Sequence, residues 1–446
     1  MRWCGFALVS ALVLHGVSGS AAQQPATSQR PNVVLVITDD VGYGDIGSYG
    51  ATDIKTPHID RLAKEGVRLT DFYAAPQCTP TRAALISGRY QQRVGLERAM
   101  GSVGPWLETG LAPTGRSLPQ LLKNNGYRTG LVGKWHLGYK PEFGPNAHGF
   151  EYFFGFLSGY IDFYTHTRLD GQHDLFENTT PIQEDGYMTD LITARALRFI
   201  EQKAAAPFFL EVAYNAAHWP FQPPDHYSKA ANNGAFQGPG DAVPATRKDY
   251  AAMLERADAG VGQIVQKLEA LGLTRNTLVI FTNDNGGEWL SRNAPLFHRK
   301  DTLWEGGIRV PAIFRWPARL PAGKTSGQTG ITMDLTASIL AATSTTVPPE
   351  ARPDGINLLP ILAGRVPAMD RRLFWRIDDA LRQQRAVRSG EWKLLRDGDD
   401  WLLFNLKSDI GERNDLAAVR PDLVRKLLPL LVAWELDVDT EAKAIK

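Results

Sequence analysis

Two short acidic or amide pairs open the question of chemistry in this chain. Asp39-Asp40 precedes Gly42-Tyr43-Gly44-Asp45, and Asp284-Asn285 precedes Gly286-Gly287. Four oxygen donors of this kind suit a hard divalent cation, Ca²⁺ or Mg²⁺, better than zinc. Either pair alone reads more simply as loop residues capping the turn that follows. Cys78 begins the stretch Cys78-Thr79-Pro80-Thr81-Arg82-Ala83-Ala84-Leu85-Ile86-Ser87-Gly88-Arg89. Pro80 fits the first turn of a helix and Gly88 its end. Cys78 then falls at the positive end of the helix dipole, and Arg82, four residues on, faces back toward it. A thiol so placed is expected to be acidic and reactive, and the plain alternative is a small buried hydrophobe. Lys134 and His136 lie in Gly133-Lys134-Trp135-His136-Leu137-Gly138, His218 in Ala217-His218-Trp219-Pro220, and Lys300 in His298-Arg299-Lys300-Asp301. Singly, each is more often a surface cation or a satisfied core histidine. Together they offer cations around an anion and groups that transfer protons near neutral pH.

The elements that must position these residues are legible as apolar runs. Asn32 to Thr38, Arg128 to Gly133, Phe208 to Ala213 and Thr277 to Thr282 read as strands buried on both faces, the mark of a parallel sheet. Helical patterns lie between them, over Thr56 to Glu65, Ser117 to Asn124, Asp190 to Lys203 and Tyr250 to Leu271. The expected fold class is α/β, a large doubly wound mixed sheet flanked by helices. Such sheets place ligands at the carboxyl ends of their strands, and each of the four runs ends in chemically capable residues. After about residue 345 the pattern changes to short runs with turn signals: Leu373 to Arg376, Gln384 to Arg388, Trp392 to Leu395 and Trp401 to Leu406. This predicts a small carboxyl-terminal subdomain with a short antiparallel sheet and a closing helix from about Pro421 to Glu435.

Composition excludes several classes. Of 446 residues, 43% are hydrophobic and 22% charged, which is ordinary globular usage rather than disorder or coiled coil. Lys+Arg number 49 against Asp+Glu 48, so no global basic field holds a nucleic acid. Two cysteines exclude a disulfide scaffold and a cysteine-rich zinc module. Residues 1–22 read as a secretory signal: Arg2, the apolar run Phe6 to Val13, then small residues Ser18 to Ala22. Its removal discards Cys4 and leaves Cys78 alone. No later run is long enough for a membrane anchor, so an exported protein is expected, in a bacterial periplasm or outside the cell. The domains expected are therefore the signal over 1–22, a catalytic unit over 23–345 and the subdomain over 346–446.

The stretch Cys78-Thr79-Pro80-Thr81-Arg82, with Ser87-Gly88-Arg89 downstream, resembles the signature of the sulfatase family, formylglycine-dependent members of the alkaline phosphatase superfamily. Val41-Gly42-Tyr43-Gly44-Asp45, Thr56-Pro57-His58-Ile59-Asp60-Arg61-Leu62-Ala63, Gly133 to Gly138, Asn283 to Gly287 and Trp304-Glu305-Gly306-Gly307 match in order, so the similarity runs from about Pro31 to the carboxyl terminus. The resemblance implies that Cys78 is converted to Cα-formylglycine by a separate formylglycine-generating enzyme. It implies one Ca²⁺, with Mg²⁺ as the alternative, held by Asp39, Asp40, residue 78, Asp284 and Asn285. Arg82, Lys134 and Lys300 then bind the sulfate or the formylglycine, and His136 and His218 serve as acid and base. The implied reaction is hydrolysis of a sulfate ester by a formylglycine hydrate through a covalent sulfo-enzyme.

Within the family, the stretch from His148-Gly149-Phe150 to Tyr164-Thr165-His166 is similar to arylsulfatase B-like sulfatases. That implies a sulfated glycan such as N-acetylgalactosamine sulfate, or an aryl sulfate. Ser158, Tyr160, His166, Trp219, His226 and Trp289 flank the expected site and are candidates for sugar contact, ordinary packing being the alternative. Two other readings share these residues. One is a phosphodiester or phosphonate monoester hydrolase of the same superfamily. The other is a non-catalytic sulfated-glycan-binding pseudoenzyme, against which no signature position is substituted.

Overall fold

The computed structural model describes residues 30–168, 170–202, 206–225, 245–379 and 382–443, with residues 1, 3 and 5. The leader expected over 1–22 therefore lies almost wholly outside the described residues, and so does His226. Ten strands form one mixed sheet. From one edge to the other the order is Lys324–Ser326, Val67–Leu69, Ala312–Arg315, Thr277–Asn283, Asn32–Thr38, Phe208–Ala213, Arg128–Lys134, Tyr152–Phe156, Phe176–Glu177 and Thr180–Pro181. The five strands from Thr277–Asn283 to Tyr152–Phe156 run parallel, and Ala312–Arg315 pairs antiparallel to Thr277–Asn283.

The central strand shows why the sheet is doubly wound. Val33, Leu35 and Ile37 face the helices Cys78–Ser87, Leu118–Asn124 and Thr332–Ala342. Val34 and Val36 face Pro57–Glu65, Met188–Glu201 and Arg247–Ala270. Every residue of Val33 to Val36 is fully buried, and each such side chain contributes roughly 1.5–3 kcal/mol. Alternation in a strand thus supplies two cores, which is why the run is continuously apolar.

Register then aligns the carboxyl ends. Thr38 pairs with Asn283, and Ala213 pairs with both Ile37 and Gly133. The chains leaving these strands emerge side by side, at the sheet edge where α/β ligands bind.

The carboxyl-terminal sheet is an antiparallel meander of Arg372–Asp378, Gln383–Ser389, Trp392–Asp397 and Asp400–Asn405. The closing helix spans Pro421–Lys443 and buries Leu427, Leu431, Trp434 and Val438 against it. That helix runs eight residues beyond the Glu435 expected from its apolar stripe. Its extra turns carry acids that pair with distant arginines: Asp437 with Arg93, Asp439 with Arg376 and Glu441 with Arg89. Tyr73, Leu303, Ile308 and Met333 of the large unit share this third core, so the two units are packed rather than tethered.

Candidate active site

Asp39 and Asp40 leave the central strand, and Asp284 and Asn285 leave its neighbour. The Asp284 amide donates to the Thr38 carbonyl at 3.2 Å, and the Asp40 amide approaches Asp284 Oδ1 at 3.4 Å. Asp40 adopts φ 56, a left-handed turn that an L-residue rarely takes, and it swings the carboxylate back over the strand ends. The four residues sequence placed at two separate strand ends therefore meet.

Cys78 starts the helix Cys78–Ser87, which Gly88 closes in the left-handed conformation at φ 70, with its amide bonded to the Ala84 carbonyl. Thr79 stitches this helix to the next strand end, donating to the His136 carbonyl at 3.0 Å and accepting from the Met100 amide at 3.1 Å. The thiol lies 3.6 Å from Asp39 Oδ1. One ligand atom from each of Asp39, Asp40, Cys78 and His218 fits within 4.8 Å of the others. The acidic thiol expected from the helix dipole and Arg82 is not what the surroundings give. Cys78 is 2% exposed, and burial pushes its thiol well up, with Asp284 and Asp39 opposing the help from Lys134 and Lys300. Arg82 turns its Nη2 to Asp284 Oδ2 at 2.9 Å and its Nη1 to the Lys134 carbonyl at 3.2 Å.

The cations are also buried and engaged. Lys134 Nζ donates to Asp39 Oδ2 at 2.6 Å, and Lys300 Nζ donates to Asp40 Oδ2 at 2.8 Å. His218 Nε2 lies 3.5 Å from the same Asp40 oxygen while its Nδ1 donates to the Trp219 carbonyl at 2.6 Å. His136 donates Nε2–H to the Met100 carbonyl at 2.9 Å, which leaves Nδ1 buried with a free lone pair. Burial, then Lys134, holds the His136 ring well below the usual imidazole range, so it stands as a neutral base.

The carboxylates respond to crowding. Burial first, then Asp284, pushes Asp39 up to about 8 against the pull of Lys134. Burial would raise Asp40 too, but Lys300 and His218 more than reverse it and hold its carboxyl down. Three carboxylates face three cations from Arg82, Lys134 and Lys300. Asn285 donates Nδ2–H to Asp40 Oδ1 at 2.7 Å, and its Oδ1 is buried with no hydrogen-bond partner. A partnerless buried oxygen beside three carboxylates is a donor set that fits a hard divalent cation. Such an ion would also leave the cluster net positive, ready for an anion.

The candidate sugar contacts divide. The Tyr160 ring stacks on His218 with centroids 5.8 Å apart and meets Trp219 at 4.1 Å, and Trp289 lies beyond Trp219 at 6.2 Å. Ser158 is buried and donates to the Tyr160 carbonyl at 2.8 Å. His166 is buried as well, with Nε2–H on the Gly186 carbonyl at 3.1 Å and its ring against His173. These contacts hold a loop together and do not join the carboxylate cluster.

Sequence reasoning missed Glu288, whose carboxylate lies 3.7 Å from Lys300 Nζ and which burial pushes up to about 7. It also missed what anchors the Lys300 loop. The Asp301 amide donates to the Pro76 carbonyl, and Gln77 Nε2 donates to Asp301 Oδ1 at 2.7 Å, so the loop is tied to the segment before Cys78. From the other side, the Leu303 amide reaches Gln384, Trp304 Nε1 reaches Asp397 and the Glu305 amide reaches Glu412. The carboxyl-terminal unit thus grips the loop that presents Lys300. No local sequence signal marks these pairs.

The sulfatase family model matches residues 31–345, and the N-sulphoglucosamine sulphohydrolase carboxyl-terminal model matches residues 295–427. The chain is 34% identical to N-acetylgalactosamine-6-sulfatase of Canis lupus familiaris, covering 96% of this chain and 89% of that one. It is 31% identical to arylsulfatase J of Mus musculus, covering 90% and 75% respectively. A crystal structure of Ps i-CgsB in complex with k-i-k-neocarrahexaose superposes with TM-score 0.82 at 32% identity, covering 91% and 93% of the two chains. The chain belongs to the sulfatase family and is a sulfuric ester hydrolase.

Proposed function

We propose that this protein removes sulfate from a sulfated glycan, with N-acetylgalactosamine sulfate the first sugar to test. The observation that carries the reading is the convergence of Asp39, Asp40, Asp284 and Asn285 on residue 78, ringed by Arg82, Lys134 and Lys300. Relatives named for N-acetylgalactosamine 6-sulfate and a structural neighbour bound to a carrageenan-type hexaose support the substrate class. Asp39, Asp40, Asp284 and Asn285, with residue 78, would hold a Ca²⁺, which supplies positive charge where the transferring sulfonyl group gathers negative charge. A formylglycine at position 78, which a formylglycine-generating enzyme would make from Cys78, would supply as its hydrate two hydroxyls on one carbon, one a nucleophile toward sulfur and the other the group that lets sulfate leave.

The remaining side chains do the positioning and proton work. Arg82 orients Asp284, and Lys134 and Lys300 place two ammonium groups against Asp39 and Asp40, within reach of a bound anion. His136 offers its free Nδ1 as the base that receives a proton from residue 78. Lys300, whose ammonium shares an Asp40 oxygen with His218, would protonate the leaving oxygen; burial holds His218 down at about 3, so its ring, with Nδ1–H on the Trp219 carbonyl, would use Nε2 to relay that proton rather than to store it. Burial of the whole cluster excludes bulk water and strengthens each interaction. The catalytic unit over 23–345, the subdomain over 346–446, the leader over 1–22 and export belong to the same proposal. No described helix is long and apolar enough to cross a membrane.

A substrate panel tests the reading. Purified protein should release sulfate from N-acetylgalactosamine 4- or 6-sulfate or a sulfated oligosaccharide, and from an aryl sulfate more slowly. Faster turnover of the matching phosphodiester would move the assignment to a phosphodiesterase, and no turnover of any sulfate ester would overturn it.

A further inference from the structure

We propose that a second sugar subsite lies along the aromatic row that leads from His218 and takes an anionic unit next to the one carrying the scissile sulfate. The inference rests on the sulfated-glycan reading above. Aromatic rings form a row leading away from His218. Trp219 lies 4.9 Å from His218, and Trp289 lies 6.2 Å beyond it with the planes at 25°. Trp289 is 36% exposed and forms one wall of a cleft of about 320 Å³ whose other walls include Leu296, His298 and Arg299. An exposed indole takes the apolar face of a sugar ring, and polar groups around it take the hydroxyls.

The cleft is pinned in shape. Asn293 accepts from the Gly287 amide at 2.9 Å and donates to the Gly287 and His298 carbonyls at 2.9 and 3.2 Å. Its charge comes from one residue. Arg299 is exposed and makes no ion pair among the described residues, whereas the arginines near it are engaged. Arg292 pairs with Asp53 at 3.1 Å, Arg413 lies over the Phe297 ring at 4.4 Å, and Arg382 donates to the Asp301 carbonyl. Lys300, the next residue, turns inward to Asp40. Two adjacent residues thus direct one cation into the catalytic cluster and one into the neighbouring cleft. A guanidinium fork matches a sulfate or a carboxylate with two parallel hydrogen bonds.

The test compares kcat/KM of the full chain on a sulfated monosaccharide with that on oligosaccharides whose neighbouring unit carries a sulfate, a carboxylate or no charge. Wild-type protein should prefer the charged neighbours. Arg299→Ala should shrink that preference by about tenfold, the scale of one charge-assisted hydrogen bond, with Arg299→Lys between the two. Trp289→Ala should lower the oligosaccharide-to-monosaccharide ratio for charged and uncharged chains alike. A stronger response to sulfate than to carboxylate, or the reverse, identifies the anion the cleft is built for. Turnover of the monosaccharide with no preference for a charged neighbour, or a preference that Arg299→Ala leaves unchanged, would overturn the subsite and leave the glycan reading standing. Turnover of no sulfated sugar would overturn both.

Discussion

Replacing Lys393 with methionine should destabilise the protein by about 3–5 kcal/mol near neutral pH, the usual cost of stranding a buried charge. Lys393 Nζ lies 2.9 Å from Glu305 Oε1 and 2.8 Å from Glu412 Oε1, and all three side chains are fully buried. Two carboxylates share one ammonium, so they do not ionise alike. Burial would raise Glu305, but Lys393 and Arg309 outweigh it and hold that carboxyl at about 2. Burial pushes Glu412 up to about 7, with Lys393 opposing. Methionine fills most of the space and removes the charge. Glu305 keeps Arg309 at 3.2 Å and the Tyr73 hydroxyl at 2.6 Å, whereas Glu412 loses its cation. The sign of the pH dependence follows. A carboxyl raised in the folded state adds stability that is full below the ordinary glutamate range and is lost as pH rises through its folded value, here about 7. Without Lys393 the folded value rises further and the loss continues to higher pH. Denaturant unfolding should therefore show a deficit for Lys393→Met that is about 1 kcal/mol larger at about pH 8 than at about pH 5, the linkage value of one unit above a folded value of about 7. Adding Glu412→Gln should remove that increment with pH. Equal stability of variant and wild type, or a deficit that does not change with pH, would refute the reasoning.

Other outcomes follow from the site. Lys134→Ala or Lys300→Ala should lower kcat on the order of 10²-fold with little change in KM, measured by sulfate release, if each ammonium acts on the transferring group as proposed. Chelation should abolish turnover and added Ca²⁺ restore it, and Asn285→Ala should raise the Ca²⁺ concentration needed, read by titration calorimetry as well as by activity. Gly286→Ala should displace the Asn285 turn, since a Cβ there would meet the Gly306 carbonyl oxygen at 1.9 Å. A drop in melting temperature together with weakened Ca²⁺ binding would report it.

Much of this was legible because the sheet is buried on both faces. Asn32–Thr38 had to be continuously apolar to serve two cores, so its bounds could be read directly, and its polar exit at Asp39 stood out. The helix from Cys78 was legible through Pro80 and Gly88. The outer strands were not: Val67–Leu69 and Lys324–Ser326 are three residues each, too short for a period to show, and they form because neighbours pair with them. The thiol was misjudged because dipole and Arg82 are local features, whereas burial and the carboxylates of Asp39 and Asp284 come from other strands. The grip of Glu412 and Lys393 on the Lys300 loop spans 107 and 88 residues of sequence, beyond any spacing rule. His166 closes the stretch that resembles arylsulfatase B-like sulfatases and is a site candidate on that ground, but it is buried, with its ring against His173 and Nε2 on the Gly186 carbonyl.

The proposed chemistry depends most directly on the state of residue 78. Mass spectrometry of the peptide that carries it, taken from protein active on a sulfate ester, should show the cysteine sulfur replaced by an aldehyde oxygen. Active protein whose residue 78 is wholly an unmodified thiol would contradict a formylglycine nucleophile.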